Sequence, residues 1–314
     1  MNSLRLTGLV AATHTPFQPD GSLHLAIVER QAEHLLRNGV RFAFIGGTTG
    51  ECHSLSLEER RQLARCWIEV ARGTPLNVVV HVGANCLADA RALASQAGEL
   101  GAVAIAALAP SYFKPRTVEA LTACCADIAS AAPATPFYYY DIPSMTGVSL
   151  PMPEFLARAR ERIPTLAGVK FSNADLMAYQ LCLHTAGGAF DVPYGTDEWI
   201  LAALALGARG AVGSTYNFAA PIYHRLIAAF AAGDLTAARR EQFRSVQLVQ
   251  TLARYGYLSA SKVVMRLVGV DVGPARLPLV NLTENEVSAL RAELETLGFF
   301  DWLSQPPSSG ASSP

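Results

Sequence analysis

The chain has 314 residues, of which 51% are hydrophobic and 16% charged, with a formal net charge of -1. This composition excludes an intrinsically disordered chain, and it offers no basic surface for a polyanion such as nucleic acid. A small neutral or acidic ligand is the better expectation, and the length suits one α/β barrel with an extension.

Short apolar runs rich in β-branched and aromatic residues alternate with longer amphipathic runs. The alternation is typical of βα units around a parallel sheet. No G-x-G-x-x-G follows the first strand, so we favour a (β/α)8 TIM barrel over a doubly wound dinucleotide-binding fold. The predicted strands are Gly8–Thr13, Phe42–Ile45, Asn77–Val82, Ala102–Leu108, Phe137–Tyr140, Leu166–Phe171, Phe190–Tyr194 and Gly210–Ser214.

The motif GGTTGE follows the second strand and contains Thr48, Thr49 and Glu51. Its two hydroxyls and glycine-exposed N–H groups predict a cradle for a carboxylate, whereas the missing G-K-[ST] ending argues against a nucleotide phosphate. A tight βα turn with glycine at positive φ is an equally valid explanation of the glycines. Ser56 and Glu59 then predict a capping box that opens a helix over residues 57–72.

The third strand contains His81 within NVVVHVG, which we interpret as a buried, hydrogen-bonded strand residue. The seven histidines show no metal-ligand spacing, and we predict no metal and no cofactor. A second long helix is predicted over residues 87–100. The fifth strand, FYYY, ends at Tyr140, whose phenol could pass protons; core packing is the alternative, and it accounts for at least one of Tyr138 and Tyr139.

Only three of the 25 basic Lys and Arg residues are lysines: Lys114, Lys170 and Lys262. Arginine cannot lose its proton or form an imine, whereas a desolvated lysine can attack a ketone. Lys170 lies at the end of the apolar run LAGVK, where the reactive groups of a barrel are placed. From position alone, a lysine that reaches solvent or pairs with a carboxylate is as good an interpretation.

Asp197 and Glu198 follow the seventh strand, and Ser214 ends the eighth. Adjacent carboxylates diverge in direction, so they make a poor glycosidase pair but could accept hydrogen bonds from vicinal hydroxyls. A solvated helix start is the alternative explanation for the acidic pair.

We predict a barrel over residues 1–220, a C-terminal helical extension over 221–303, and a disordered tail over 304–314. No apolar stretch of about 20 residues runs without Gly, Pro or charge, so we expect no membrane span. The six scattered cysteines and the lack of a signal-peptide-like start predict reduced thiols in the cytoplasm.

GGTTGE, the tyrosine of YYYDIP and the lysine of GVKFS resemble, in order and spacing, the N-acetylneuraminate lyase and dihydrodipicolinate synthase family of class I aldolases. The resemblance runs from about Thr7 to Leu297. GTDE and AVGSTYN are similar to the members that cleave N-acetylneuraminate to pyruvate and N-acetylmannosamine. The resemblance also implies a homotetramer, with Tyr112 or Phe113 near a subunit interface.

The resemblance further implies a role for each motif residue. Lys170 would form an imine with pyruvate, and Tyr140 would relay protons. The substrate-binding residues would be Thr48 and Thr49 for the carboxylate, Ser172 beside the proton relay, and Gly195, Asp197, Glu198 and Ser214 for the polyol end.

Two alternatives stay open at this point. One is a pyruvate aldolase or dehydratase of the same family that acts on a different 2-keto acid. Many dihydrodipicolinate synthases have arginine where Met145 stands, and methionine cannot bind a second carboxylate as arginine does. The other alternative is a barrel that binds a keto acid without catalysis.

Overall fold

The computed structural model describes residues 5–304. Its sheet has seven strands in the order β6-β5-β4-β3-β2-β1-β7, and every neighbouring pair is parallel. The predicted barrel class is confirmed. The strands are β1 Gly8–Ala12, β2 Phe42–Ile45, β3 Asn77–His81, β4 Ala104–Leu108, β5 Phe137–Asp141, β6 Leu166–Phe171 and β7 Gly210–Gly213.

The prediction of a regular strand at Phe190–Tyr194 is wrong, although this segment does occupy the gap between β6 and β7. It makes only isolated bridges, from Asp191 to Gly168 and from Tyr194 to β6 and β7. Pro193 has no N–H to donate to a ladder, and this prevents continuous pairing. Backbone hydrogen bonds still close the barrel on both sides of the segment: the N–H of Phe171 donates to the Pro193 carbonyl (3.0 Å), and the N–H of Val212 donates to the Tyr194 carbonyl (2.8 Å).

The α-helices cover the outside of the sheet and continue beyond it. The capping box is confirmed, because the Ser56 side chain and Glu59 each bond the other's backbone N–H. The helices are α1 Ile27–Arg37, α2 Leu57–Ala71, α3 Leu87–Leu100, α4 Val118–Ala129, α5 Pro143–Thr146, α6 Met152–Arg162, α7 Leu176–His184, α8 Ile200–Ala205, α9 Ala220–Ala231, α10 Leu235–Arg254, α11 Tyr257–Leu267, α12 Glu284–Leu297 and α13 Phe299–Ser304.

Two hydrophobic clusters follow from the alternation of side chains along each strand. The smaller one fills the barrel interior and includes Phe44, Val79 and Tyr138. The larger one lies between strands and helices and includes Tyr139, whose ring centroid is 4.9 Å from that of Phe155. Both tyrosines that precede Tyr140 are therefore core residues.

Helices α10 to α13 form the C-terminal region and pack against α9 and against one another. The boundary predicted at residue 220 stays a prediction. Ser304 ends α13, and the rest of the predicted disordered tail, 305–314, lies outside the described residues. Within residues 5–304, no helix is both long and apolar enough to cross a bilayer.

Candidate active site

A cavity of about 500 Å³ opens at the carboxyl ends of the strands, where parallel barrels carry their reactive groups. The structure brings every residue of the predicted site to this one cavity. These residues are Thr48, Thr49, Tyr140, Lys170, Ser172, Gly195, Asp197, Glu198 and Ser214.

Lys170 projects from β6 and is buried, with 3% of its surface exposed. Its Nζ lies 3.8 Å from the centroid of the Tyr140 ring and 4.2 Å from that of Phe44. Desolvation lowers the pKa of Lys170 from 10.5 to about 7, although the charge of Asp197 raises it in part. A substantial fraction of the amine is thus uncharged and nucleophilic near neutral pH.

The other two lysines have different surroundings. Lys114 is exposed, and Lys262 is buried with its Nζ 2.7 Å from Glu51 Oε1. Among residues 5–304, Lys170 has no ion pair. The interpretation of Lys170 as a lysine paired with a carboxylate is therefore wrong, because the site surrounds it with aromatic rings instead.

Tyr140 is the register partner of Lys170 on the neighbouring strand β5. Its hydroxyl lies 3.2 Å from Thr48 Oγ1. Burial raises the pKa of Tyr140 to about 12, while the hydrogen bond with Thr48 lowers it in part. The ring packs edge-on against Phe44 and His81, which fixes where the phenol points.

His81 itself is a core residue, as predicted. Its Nδ1 lies 2.9 Å from the Gly46 carbonyl, and burial lowers its pKa well below the ordinary value. A neutral imidazole whose Nδ1 donates to that carbonyl satisfies the buried groups. His81 thus supports the turn that leads to Thr48 and Thr49. Within the described chain, no cluster of three or more potential metal-binding side chains occurs.

The two acidic residues differ in the hydrogen bonding of their carboxylates. Asp197 is buried, and its Oδ2 accepts hydrogen bonds from the Thr215 N–H (2.9 Å) and hydroxyl (2.5 Å). Gly213 permits this approach, because a Cβ there would lie 1.7 Å from Asp197 Oδ1. Glu198 is half-buried, and burial raises the pKa of its carboxyl group. It lines the cavity with no hydrogen bond from other described residues to its carboxylate.

Ser214 and Gly195 complete the far side of the cavity. Ser214 Oγ lies 2.6 Å from the hydroxyl of Tyr257, a residue that the motifs did not reveal. Gly195 approaches Ser172 so closely that a Cβ would lie 1.9 Å from its Oγ. Glycine is therefore required at this position by space.

The sequence predictions missed the part of the wall that comes from the C-terminal helices. Tyr257 and Leu258 are at the start of α11, and Val249 and Ala253 lie on α10. They belong to no motif and are ordinary helix residues in pattern. Only the packing of the extension over the barrel brings them to the cavity.

The match to protein families agrees with this geometry. Residues 5–297 match the model of the dihydrodipicolinate synthetase family. The chain belongs to this family. Among its relatives, the N-acetylneuraminate lyase of Gallus gallus is 42% identical over 93% of this chain and 96% of that protein. That of Rattus norvegicus is 40% identical over 95% and 94%.

A solved structure of a family member has the same fold. The Proteus mirabilis N-acetylneuraminate lyase is 40% identical, superposes with a TM-score of 0.92, and is covered over its whole length by 94% of this chain. The family resemblance expected from GGTTGE, YYYDIP and GVKFS is thus confirmed.

Proposed function

We propose that this protein is a class I pyruvate-dependent aldolase that cleaves N-acetylneuraminate to pyruvate and N-acetylmannosamine. The observation that carries the proposal is Lys170, a buried lysine with no ion pair among residues 5–304, beside a buried tyrosine in a cavity that can hold a sugar acid. The names and high identity of the lyases described above support it further.

In the proposed mechanism, the free amine of Lys170 attacks the ketone carbon of the open-chain sugar acid, and loss of water leaves an imine. Tyr140 donates a proton to the departing hydroxyl and later accepts one from the hydroxyl of the carbon to be released. The carbon–carbon bond between this hydroxyl-bearing carbon and the carbon next to the imine then breaks. Its electrons convert the imine into an enamine, and the hydroxyl-bearing carbon leaves as the aldehyde. Protonation of the enamine and addition of water return pyruvate and the free lysine.

The two ends of the substrate need different partners. The hydroxyls and N–H groups at Thr48 and Thr49 suit the carboxylate of the substrate, because they can donate hydrogen bonds to its oxygens. The open carboxylate of Glu198 and the hydroxyl pair of Ser214 and Tyr257 suit a polyhydroxylated tail. In this proposal Asp197 acts mainly through its negative charge, which faces the developing cation at Lys170.

The second candidate is condensation of pyruvate with an acidic aldehyde, which is the reaction of a dihydrodipicolinate synthase. Met145 disfavours it, since this cavity-lining residue offers no charge for a second carboxylate. Glu198 would also repel an acidic partner. A non-catalytic keto-acid binder is disfavoured because it has no use for an uncharged lysine.

Trapping with borohydride tests the proposal. Pyruvate plus borohydride should inactivate the protein and leave a reduced pyruvyl group on Lys170, which mass spectrometry can locate. A label on Lys114 or Lys262, or full activity without any label, would refute the Schiff-base mechanism. Faster condensation of pyruvate with aspartate semialdehyde than cleavage of N-acetylneuraminate would overturn the substrate assignment.

We also propose a cytoplasmic homotetramer without a bound cofactor or metal. Chelator-treated enzyme should stay active, because the imine supplies the electron sink that a metal supplies in other aldolases.

A further inference from the structure

A buried ion pair joins the C-terminal region to the loop that carries Thr48 and Thr49. Lys262 Nζ on α11 lies 2.7 Å from Glu51 Oε1, and the two side chains are only 2% and 1% exposed. The other carboxylate oxygen of Glu51 accepts the N–H of Arg276 at 2.8 Å. Neither Glu51 nor Lys262 lines the cavity, so the pair does not touch the proposed substrate directly.

Glu51 has a left-handed backbone, with φ at 55°. This conformation is unfavourable for a residue with a side chain, and it persists where surrounding contacts enforce it. The turn at Glu51 also orders the hydroxyl-bearing residues before it, because its N–H donates to the Thr48 carbonyl (3.0 Å). Glu51 therefore links two features: its carboxylate binds Lys262 and Arg276, and its backbone orients Thr48.

Lys262 reaches the same loop by a second route. Its ammonium donates to the Thr15 carbonyl at 3.0 Å, and the Thr15 hydroxyl donates to the Gly50 carbonyl at 2.7 Å. The loop is thus held at two successive residues, Gly50 and Glu51, by one buried cation. Arg276 secures its far end, since its guanidinium donates to the Ser54 carbonyl at 2.9 Å.

We propose that Lys262 is a positioning residue, whose ion pair with Glu51 holds the Thr48 and Thr49 hydroxyls where they bind the carboxylate of the pyruvyl group. The proposal rests on the proposed aldolase function. It gives the C-terminal extension a role at the carboxylate end of the site, in addition to the wall that it forms at the polyol end. Loss of the ion pair should let the backbone of Glu51 relax from its unfavourable conformation. The Thr48 and Thr49 hydroxyls should then move from their positions as well.

The test compares Lys262→Met with the unaltered protein in borohydride trapping on Lys170. The pyruvate concentration that gives half-maximal trapping should rise on the order of ten- to a hundredfold, as expected for displaced binding groups. The maximal trapping rate at saturating pyruvate should change much less, because Lys170 and Tyr140 stay in place. Arg225→Met is the matched control, since it breaks another buried ion pair, between α9 and α10 (2.9 Å to Glu241), that makes none of the contacts described for this loop.

An unchanged half-saturating concentration in Lys262→Met, or an equal rise in Arg225→Met, would overturn the positioning role. Where Lys262→Met does not fold, Glu51→Gln replaces it, since it keeps the side-chain shape and loses only the charge; the same rise supports the proposal and its absence overturns it. Hydrogen exchange of the amides at 48–52 gives an independent measurement, and it should accelerate in Lys262→Met alone. If the unaltered protein shows no trapping, the aldolase function is refuted. If hydrogen exchange at 48–52 is the same in Lys262→Met as in the unaltered protein, the positioning role of Lys262 is refuted.

Discussion

Lys170 has surroundings that keep much of its amine uncharged near neutral pH. Because burial lowers its pKa to about 7, Lys170 binds more protons in the unfolded chain than in the folded one between about pH 7 and 10.5, and its own contribution to stability should rise with pH in this window. Replacement by methionine should remove this contribution. Burial of Lys170 thus lowers the free energy of unfolding at lower pH and keeps its amine partly uncharged.

The first prediction concerns the pH dependence of activity. Because the free amine attacks in the proposed mechanism, kcat/KM for N-acetylneuraminate should rise with pH on an acid limb centred near pH 7. Asp197→Asn should move this limb to lower pH, since the Asp197 charge raises the pKa of Lys170. Rate profiles of both proteins provide the measurement, and a limb that the variant leaves in place would contradict the assignment.

The second prediction compares neighbouring tyrosines. Tyr140→Phe should fold normally, because its ring contacts remain, but lose about 10²-fold or more in kcat as a proton relay is removed. Tyr139→Phe is the control, since its buried hydroxyl has no hydrogen-bond partner among the described residues. It should keep its turnover. Near-normal turnover in Tyr140→Phe would move the proton relay to another group.

The third prediction separates the two ends of the substrate. Glu198→Ala should weaken kcat/KM for N-acetylneuraminate by roughly 1.5–3 kcal/mol, the range for hydrogen bonds to a charged group. Trapping of pyruvate on Lys170 should be unaffected, because the polyol tail is absent from pyruvate. Glu198→Gln, which still accepts hydrogen bonds, should lose less. Equal loss in both reactions would show that Glu198 acts on the lysine and not on the tail.

At the scale of elements, the weak point of the barrel is the irregular segment between β6 and β7. Asp191 strengthens it, because its Oδ2 accepts the Leu6 N–H at 2.7 Å and the Tyr138 hydroxyl at 2.8 Å. One buried carboxylate thus ties this segment to β5 and to the residues before β1. Side-chain hydrogen bonds here replace part of the missing ladder.

The fourth prediction follows from this closure. Asp191→Ala should lower the free energy of unfolding by roughly 2–3 kcal/mol, because it removes two buried hydrogen bonds to a charged group. Asp191→Asn, which can still accept, should lose less. Urea unfolding measures both. Pyruvate trapping in the folded variants should match that of the unaltered protein, and a large change there would mean that closure at Asp191 also shapes the cavity.

At the scale of the whole molecule, the exposed large apolar side chains of residues 5–304 include two neighbouring pairs. Tyr112 and Phe113, in the loop between β4 and α4, are 80% and 86% exposed, and their ring centroids are 5.0 Å apart. Met177 and Leu181 lie one turn apart on α7 and are 73% and 55% exposed. Exposed apolar groups of this kind are typical of subunit interfaces.

The fifth prediction is the oligomeric state. Light scattering should give the mass of a tetramer, and Phe113→Asp or Met177→Glu should each reduce it by disrupting one of two different interfaces. Arg291→Glu, on the exposed surface of α12, should leave the mass unchanged. A monomeric mass for the unaltered protein would contradict both the tetramer and the suggested place of Tyr112 near an interface.

Local patterns in the sequence determined much of this protein. Alternating runs gave seven strands to within two residues at each end, and Ser56 with Glu59 marked the start of α2, because caps and amphipathic periods depend on neighbours a few residues apart. Lys170 and Tyr140 could be chosen for a related reason. Each is the penultimate residue of a buried strand, and the C-terminal ends of parallel strands meet at one face of a barrel.

Only the tertiary structure decided which groups are paired and which are free. Pairs such as Glu51 with Lys262, or Ser214 with Tyr257, join residues far apart in sequence, and no local period records them. The same holds for Lys170, since the sequence left open whether its amine is buried, reaches solvent or pairs with a carboxylate. Whether a buried lysine has a carboxylate partner depends on which side chains the closed barrel and its C-terminal helices bring within a few ångströms of it. This distinguishes Lys170, the proposed nucleophile, from the ion-paired Lys262.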